Sequence, residues 1–219
     1  MQTEEEGAVL LDTPIIRPIP DYDGKRSFRE RQRRRQKDLN RLSYEVHAVI
    51  QALPQYQLRD CDFESAAERL KSLLGTTEII PIPVRGPQGV MVVILAPMRI
   101  WYDAKIRKRL WNFRKSSAIN GDKPVRLLSQ RWIRRRPFLD NCKLVARCAN
   151  MSVAARDRFS VLTLVREDPL ATLEDCAAVV RAPDPVGVVF ALIAGGLLTI
   201  NFETAITPMS SISERQVER

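Results

Sequence analysis

Histidine is almost absent from this 219-residue sequence, with His47 its only example. Cysteine is scarce too: Cys61, Cys142, Cys148 and Cys176 are the four, and no two form a C-x-x-C pair. A structural zinc site needs four convergent nitrogen or sulfur ligands, so a Cys/His zinc centre is not expected. The thiols are expected to be buried and reduced, as in a reducing cytoplasm, and His47, beside an apolar helical stripe, to be a satisfied, partly buried side chain. There is no glycine-rich phosphate loop, no G-x-S-x-G and no Cys–His pairing. Nucleotide hydrolysis, serine-hydrolase and thiol chemistry therefore find no support. No apolar run reaches the ~20 residues of a membrane span. The longest, 186–200, is broken by Gly187, Gly195 and Gly196 and reads as a buried helix followed by a strand. Residues 2–7 are acidic rather than apolar, the wrong sign for a secretory or mitochondrial address, so the chain reads as soluble and intracellular, with no membrane partner.

What the sequence does have is positive charge, segregated along the chain. The formal net charge is +9. Residues 25–41 hold nine Lys/Arg against two acids, and residues 99–136 hold thirteen against Asp103 and Asp122. From residue 151 onward the balance reverses, with six basic residues against nine acidic. A surface that tracks phosphates needs this segregation, because each neutralised phosphate releases counterions and adds salt-sensitive affinity. The guanidinium fork of arginine matches phosphate geometry, which favours nucleic acid over mere solubility. The candidate nucleic-acid contacts are Arg33, Arg34 and Arg35 in the first run, and Arg107, Lys108, Arg109, Arg114 and Lys115 in the second. Arg131, Arg134, Arg135 and Arg136 complete the set. An acidic protein or an anionic membrane surface is the alternative partner for such charge. Trp101, Trp111, Phe113 and Trp132 lie among these cations; they either stack on bases or anchor the core, and core packing is the simpler reading.

About 45% hydrophobic residues in 219 suits one ordinary domain or two small ones. Residues 1–24 combine acids with Pro14, Pro18 and Pro20 and read as a disordered tail. Residues 25–54 read as a basic amphipathic helix whose later half repeats apolar residues at Leu39, Leu42, Val46, Val49, Ile50 and Leu53 before Pro54 stops it. A second helix is expected over 62–74, ended by Gly75. Residues 78–84 and 90–95, separated by Gly86-Pro87-Gln88-Gly89, read as a hairpin, with Pro81 and Pro83 confining the first strand to an edge or bulge. Residues 98–104 read as a third strand, 106–119 as a basic helix, 125–128 as a short buried strand, and a further basic turn or helix begins near Gln130. Three short helices follow over 153–165, 172–180 and 185–194, the second capped by Thr172, and then a strand over 197–202. Helices followed by a small hairpin suggest a winged-helix-like domain over 151–219.

One triplet carries potential chemistry. With 98–104 as a strand, Asp103 and Lys105 share a face. That suits metal-dependent phosphodiester hydrolysis, in which the carboxylate holds Mg²⁺ and the lysine orients water or stabilises charge beside the scissile phosphate. Taken alone, a D-x-K triplet is more often a surface ion pair. In order, however, a helix, strands, the triplet, a basic helix and a strand are the layout of a restriction-endonuclease-like fold, an α/β domain with a mixed sheet flanked by helices, here over 55–150.

Residues Phe63-Glu64-Ser65-Ala66-Ala67-Glu68-Arg69 with Leu73-Leu74, the Tyr102-Asp103-Ala104-Lys105 segment, and 126–134 followed by Leu139-Asp140-Asn141-Cys142-Lys143-Leu144-Val145 form an ordered series. Together with 172–200, this series resembles the TnsA-like endonuclease subunits of heteromeric transposases, over about residues 63–212. The resemblance implies Mg²⁺- or Mn²⁺-dependent cleavage of double-stranded DNA at transposon ends. In that reading Glu68 and Asp103 hold the metal and Lys105 is the catalytic lysine. It also implies a DDE transposase subunit as partner and a place at the bacterial nucleoid. The sequence departs from the family at one point: no acid lies between Glu78 and Asp103, where the family has an aspartate early in the strand before its lysine. Asp103 then substitutes for it, or the chain is an inactive DNA-binding or transposase-assembly factor that keeps the fold. A basic RNA-binding protein is the third reading.

Overall fold

The structure is a computed structural model that describes residues 28–58, 72, 75, 78–86, 89–119 and 124–215. The expected tail over 1–24 and most of the expected helix over 62–74, Glu68 included, lie outside the described residues; Ser72 is helical and Gly75 follows it in a turn with φ 67°.

Helix α1, Phe28–Ala52, is the long basic helix. Its apolar residues recur every three or four positions, and this stripe (Leu39, Leu42, Val46, Val49 and Ile50) is buried. Upstream of Leu39, every position from Arg29 to Asp38 is exposed. The core therefore holds the second half of α1; its exposed first part, the ~16 Å basic arm, meets the sheet side through Arg35, which lies 3.4 Å from Glu78.

The sheet contains β1, Gln57–Leu58; β2, Ile80–Gly86; β3, Gly89–Ala96; and β4, Val125–Ser129. Their order is β1-β2-β3-β4, antiparallel at the first two pairings and parallel between β3 and β4. The hairpin closes from Gly86 to Gly89, whose φ of 98° suits glycine. Pro81 and Pro83 sit on the part of β2 beyond its pairing with β1, where a missing N–H costs no bond to that strand.

Strand β3 is buried on both faces, and its period of two sorts the structure into layers. Met91, Val93 and Leu95 join α1 and the C-terminal helices in the main core, whereas Val92, Ile94 and Ala96 join Ile79, Ile100, Leu110 and Val125 in a second core. The result is a small mixed sheet with helices on both sides. Helices α2, Met98–Tyr102, and α3, Ala104–Ile119, make the crossover from β3 to the parallel β4.

Here the structure corrects the expected strand over 98–104. Pro97 ends β3, the chain turns into α2, and Trp101 Nε1 donates to the Ala96 carbonyl at 3.1 Å. Ile, Trp and Tyr favour strands on average, but at this point the segment has only one buried position, Ile100, and a helical turn seats it.

Beyond β4 come α4, Gln130–Ile133; α5, Phe138–Arg147; α6, Ala155–Glu167; α7, Leu173–Ala178; and α8, Pro185–Ala194. The antiparallel pair β5, Leu198–Ile200, and β6, Ile212–Glu214, closes the fold. The apolar run at 186–200 is thus a buried helix and a strand, as its glycines suggest. Among the described residues no helix is long and apolar enough to cross a membrane. Thr172 caps α7 in a reciprocal box: its Oγ1 accepts from Asp175 N, and Asp175 Oδ2 accepts from Thr172 N at 3.0 Å. The Thr172 hydroxyl also donates to Asp175 Oδ2, at 2.6 Å, and this bond first, with the backbone bond second, holds the Asp175 carboxyl below its usual range.

The main core does not stop at residue 150. Phe138, Val145, Val161, Val189, Leu198 and Ile212 belong to the same cluster as Leu42 and Val93. Asn141, 3% exposed, latches the loop after β5 to α5: its Nδ2 donates to the carbonyls of Phe202 and Thr204 at 2.9 and 2.6 Å. The described cysteines, Cys142, Cys148 and Cys176, are free, and burial pushes the Cys142 thiol up to about 12.

Candidate nucleic-acid interface

Asp103 lies at the junction of α2 and α3, where its side chain caps the second helix. One oxygen, Oδ1, accepts from the backbone N–H of Lys105 at 2.9 Å and of Ile106 at 3.1 Å. These are the second and third helical positions, the donors that an N-cap aspartate normally satisfies. Lys105 stands in the first turn of α3, and both side chains are exposed. Positions two apart at a helix start do not share a face as they would on a strand, so the expected strand-end juxtaposition of Asp103 and Lys105 is replaced by a helix cap. Asp103→Ala should cost about 1 kcal/mol in urea unfolding, while Asp103→Asn, which caps equally well, should stay within a few tenths of wild type. Were Asp103 a metal ligand instead, the Asn variant would lose any cleavage activity.

Among the described residues no three His, Cys, Asp or Glu side chains gather as a metal site requires. A hard dication such as Mg²⁺ wants several oxygen ligands, and Asp103, with one oxygen given to the cap, does not make such a site by itself. Glu68 lies outside the described residues.

The candidate arginines separate into two kinds. Some serve the fold. Arg134 Nε donates to Oε2 of Glu45 at 2.5 Å, and Glu45, 1% exposed on the buried side of α1, also accepts from Arg41 at 3.1 Å. Arg135 clips the loop after β5: its Nε donates to Glu203 Oε2 at 3.1 Å, and its guanidinium lies 4.2 and 4.0 Å from the ring centroids of Trp132 and Phe138. Arg136 pairs with Asp140 one helical turn later, at 3.4 Å. Arg107 Nη1 donates to the Trp101 carbonyl at 3.0 Å, and Arg114 lies over the Trp111 ring at 5.3 Å. Arg109 reaches over Gly75, where an added Cβ would come within 2.7 Å of its Nη1. Arg35 approaches Glu78 at 3.4 Å, and Arg99 holds the same carboxylate at 2.5 Å.

The others face solvent. Arg33 and Arg34 lie on the arm of α1, Lys108 and Lys115 on α3, and Arg131 on α4; all are exposed. On the arm, Arg29, Arg33 and Lys37 recur every four residues and fall on one helical face. Arg29 and Lys37 were not singled out from the sequence, although their spacing from Arg33 marks them. Of the interleaved aromatics, Trp101 and Phe113 pack in the second core, while Trp111 and Trp132 are 43% and 41% exposed. His47 is half-buried, and its Nδ1 donates to the Ser43 carbonyl at 2.7 Å, the satisfied histidine that its place beside the stripe suggested.

The arrangement is suited to holding a polyanion: a helix whose exposed first part is lined with cations, and further exposed cations on α3 and α4. No protein-family model matches the chain, and no curated protein matches it.

Proposed function

We propose that the chain is a DNA-binding subunit that grips the duplex backbone through its basic helical arm and does not cut it: the inactive DNA-binding or transposase-assembly factor among the readings. The observation that carries this reading is the arm itself. Ten successive exposed residues, 29–38, include six Lys/Arg and extend the helix beyond the last residue that the core needs. The major groove of B-DNA admits an α-helix of this diameter, and its phosphates line both rims. Against cutting stands the place of Asp103, whose carboxylate completes a helix N-terminus.

The restriction-endonuclease-like character of the sheet belongs to this proposal. An antiparallel hairpin followed by a helical crossover into a parallel strand supports it. A winged-helix-like C-terminal part is supported by α6, α7 and α8 followed by the pair β5–β6. The kinship with TnsA-like subunits, a DDE transposase partner and a place at the bacterial nucleoid rest on the resemblance in sequence.

Binding and cutting are separable in one experiment. The full-length protein is mixed with supercoiled plasmid in Mg²⁺ or Mn²⁺, and both retardation and nicking are followed. The expected result is retardation without nicking, unchanged in Glu68→Ala and Lys105→Ala. Nicking that disappears in both variants would make the chain a Mg²⁺-dependent endonuclease, with Glu68, Asp103 and Lys105 as its site. A preference for RNA over duplex DNA at matched salt would point to the third reading.

A further inference from the structure

The polar face of α1 does not end with the arm. Arg29, Arg33, Lys37, Asn40, Tyr44, His47 and Gln51 follow one another at steps of three and four along a single stripe, opposite the buried one. The last four line a groove of about 490 Å³ between α1 and α5, whose other wall carries Lys143 and Arg147. None of the residues lining that groove is acidic. The nearest acid on α5, Asp140, is engaged with Arg136 at 3.4 Å, and Glu45 is buried on the opposite side of α1 against Arg134.

Lys143 and Arg147 are one helical turn apart on the same face, a like-charged pair that destabilises an isolated helix and that an anion between them would relieve. From residue 29 to residue 51 the stripe runs roughly 33 Å, close to one turn of B-DNA. Tyr44, 67% exposed, adds a phenolic donor at the mouth of the groove.

We infer that the α1/α5 groove is a phosphate-binding site for the duplex backbone, continuing the track that the arm begins, with Lys143 and Arg147 as its cations; this rests on the DNA-binding reading above. The arm takes one part of the duplex, and the groove takes phosphates roughly 19 Å further along α1. The duplex is thereby fixed along α1 rather than held at one end of it.

The test compares four full-length proteins on one short duplex by fluorescence anisotropy, over ~50 to 200 mM salt: wild type, Lys143→Ala/Arg147→Ala, the charge-keeping Lys143→Arg/Arg147→Lys, and a variant with alanine at Arg29, Arg33, Arg34 and Lys37. Two lost phosphate contacts should flatten the slope of log affinity against log salt by about 1.8 and weaken binding by ~10-fold or more at 0.1 M, with the charge-keeping pair near wild type. Circular dichroism melts confirm that each protein is folded. Should the alanine pair unfold, Lys143→Gln/Arg147→Gln takes its place with the same expectation. If the arm variant loses affinity while the groove variants keep both slope and affinity, the groove inference fails and the binding reading stands. If wild type shows no salt-sensitive duplex binding, both fail. Binding to vesicles of anionic phospholipid that depends on Lys143 and Arg147, with duplex binding indifferent to them, would assign the groove to a lipid surface and overturn the inference.

Discussion

Alanine at Arg29, Arg33, Arg34 and Lys37 together should weaken duplex binding by roughly 1,000-fold or more at ~0.1 M salt, since each phosphate contact contributes close to one logarithmic unit of affinity per tenfold dilution of salt. The fold should survive this change. All four residues are exposed, and alanine has the highest helix propensity, so α1 loses charge without losing helix or core contacts. A thermal melt within a degree or two of wild type, alongside the lost affinity, separates an electrostatic role from a structural one. Equal affinity in the variant would mean that the arm points away from the ligand.

The second large effect concerns stability. Glu45 is 1% exposed, and its two oxygens hold Arg41 and Arg134. Arg134 Nη2 is itself buried without a hydrogen-bond partner among the described residues, so Glu45 is what compensates that cation. Removing one partner of a buried pair leaves the other charge uncompensated, and Glu45→Ala should cost roughly 3 kcal/mol or more. For a chain of this size that lowers Tm by about 10 °C. Joining Glu45→Met with Arg134→Met removes both charges and replaces them with adaptable apolar side chains, so the double variant should be more stable than either single one. A double-mutant cycle by chemical denaturation measures this coupling. Additive losses would mean that the two side chains act independently in spite of their 2.5 Å contact.

Both predictions turn on what the local sequence can and cannot say. The apolar spacing from Leu39 to Ile50 reveals α1, and Gly86 and Gly89 reveal the hairpin, because each signal is set by neighbours a few residues away. The basic helix α3, the short strand β4 and the three C-terminal helices are legible for the same reason. The segment at 98–104 is not. Its Ile, Trp and Tyr carry strand preference, and only the fold decides that Ile100 alone is buried there. The error spreads to chemistry, because the shared face of Asp103 and Lys105 exists only on a strand.

The fate of the arginines was equally hidden. Arg134 meets Glu45 across 89 residues of sequence, and Arg135 meets Glu203 across 68. A run of four basic residues at 131–136 gives no sign that three of them pair within the fold. The groove is hidden for a related reason. Its walls come from α1 and α5, and Lys143 and Arg147 lie outside both dense basic runs. Charge clustering along the chain finds the arm and misses a site assembled across it.

The central claim is that the positive face of α1 holds the backbone of a DNA duplex, and the most direct measurement is the salt dependence of binding by the unmodified full-length chain to a duplex and to an RNA of equal length. The account predicts tighter binding to the duplex and a linear fall of log affinity with log salt, at a slope of about −4 or steeper, as expected for four or more neutralised phosphates. A slope near zero, or tighter binding to RNA across the whole salt range, would contradict it.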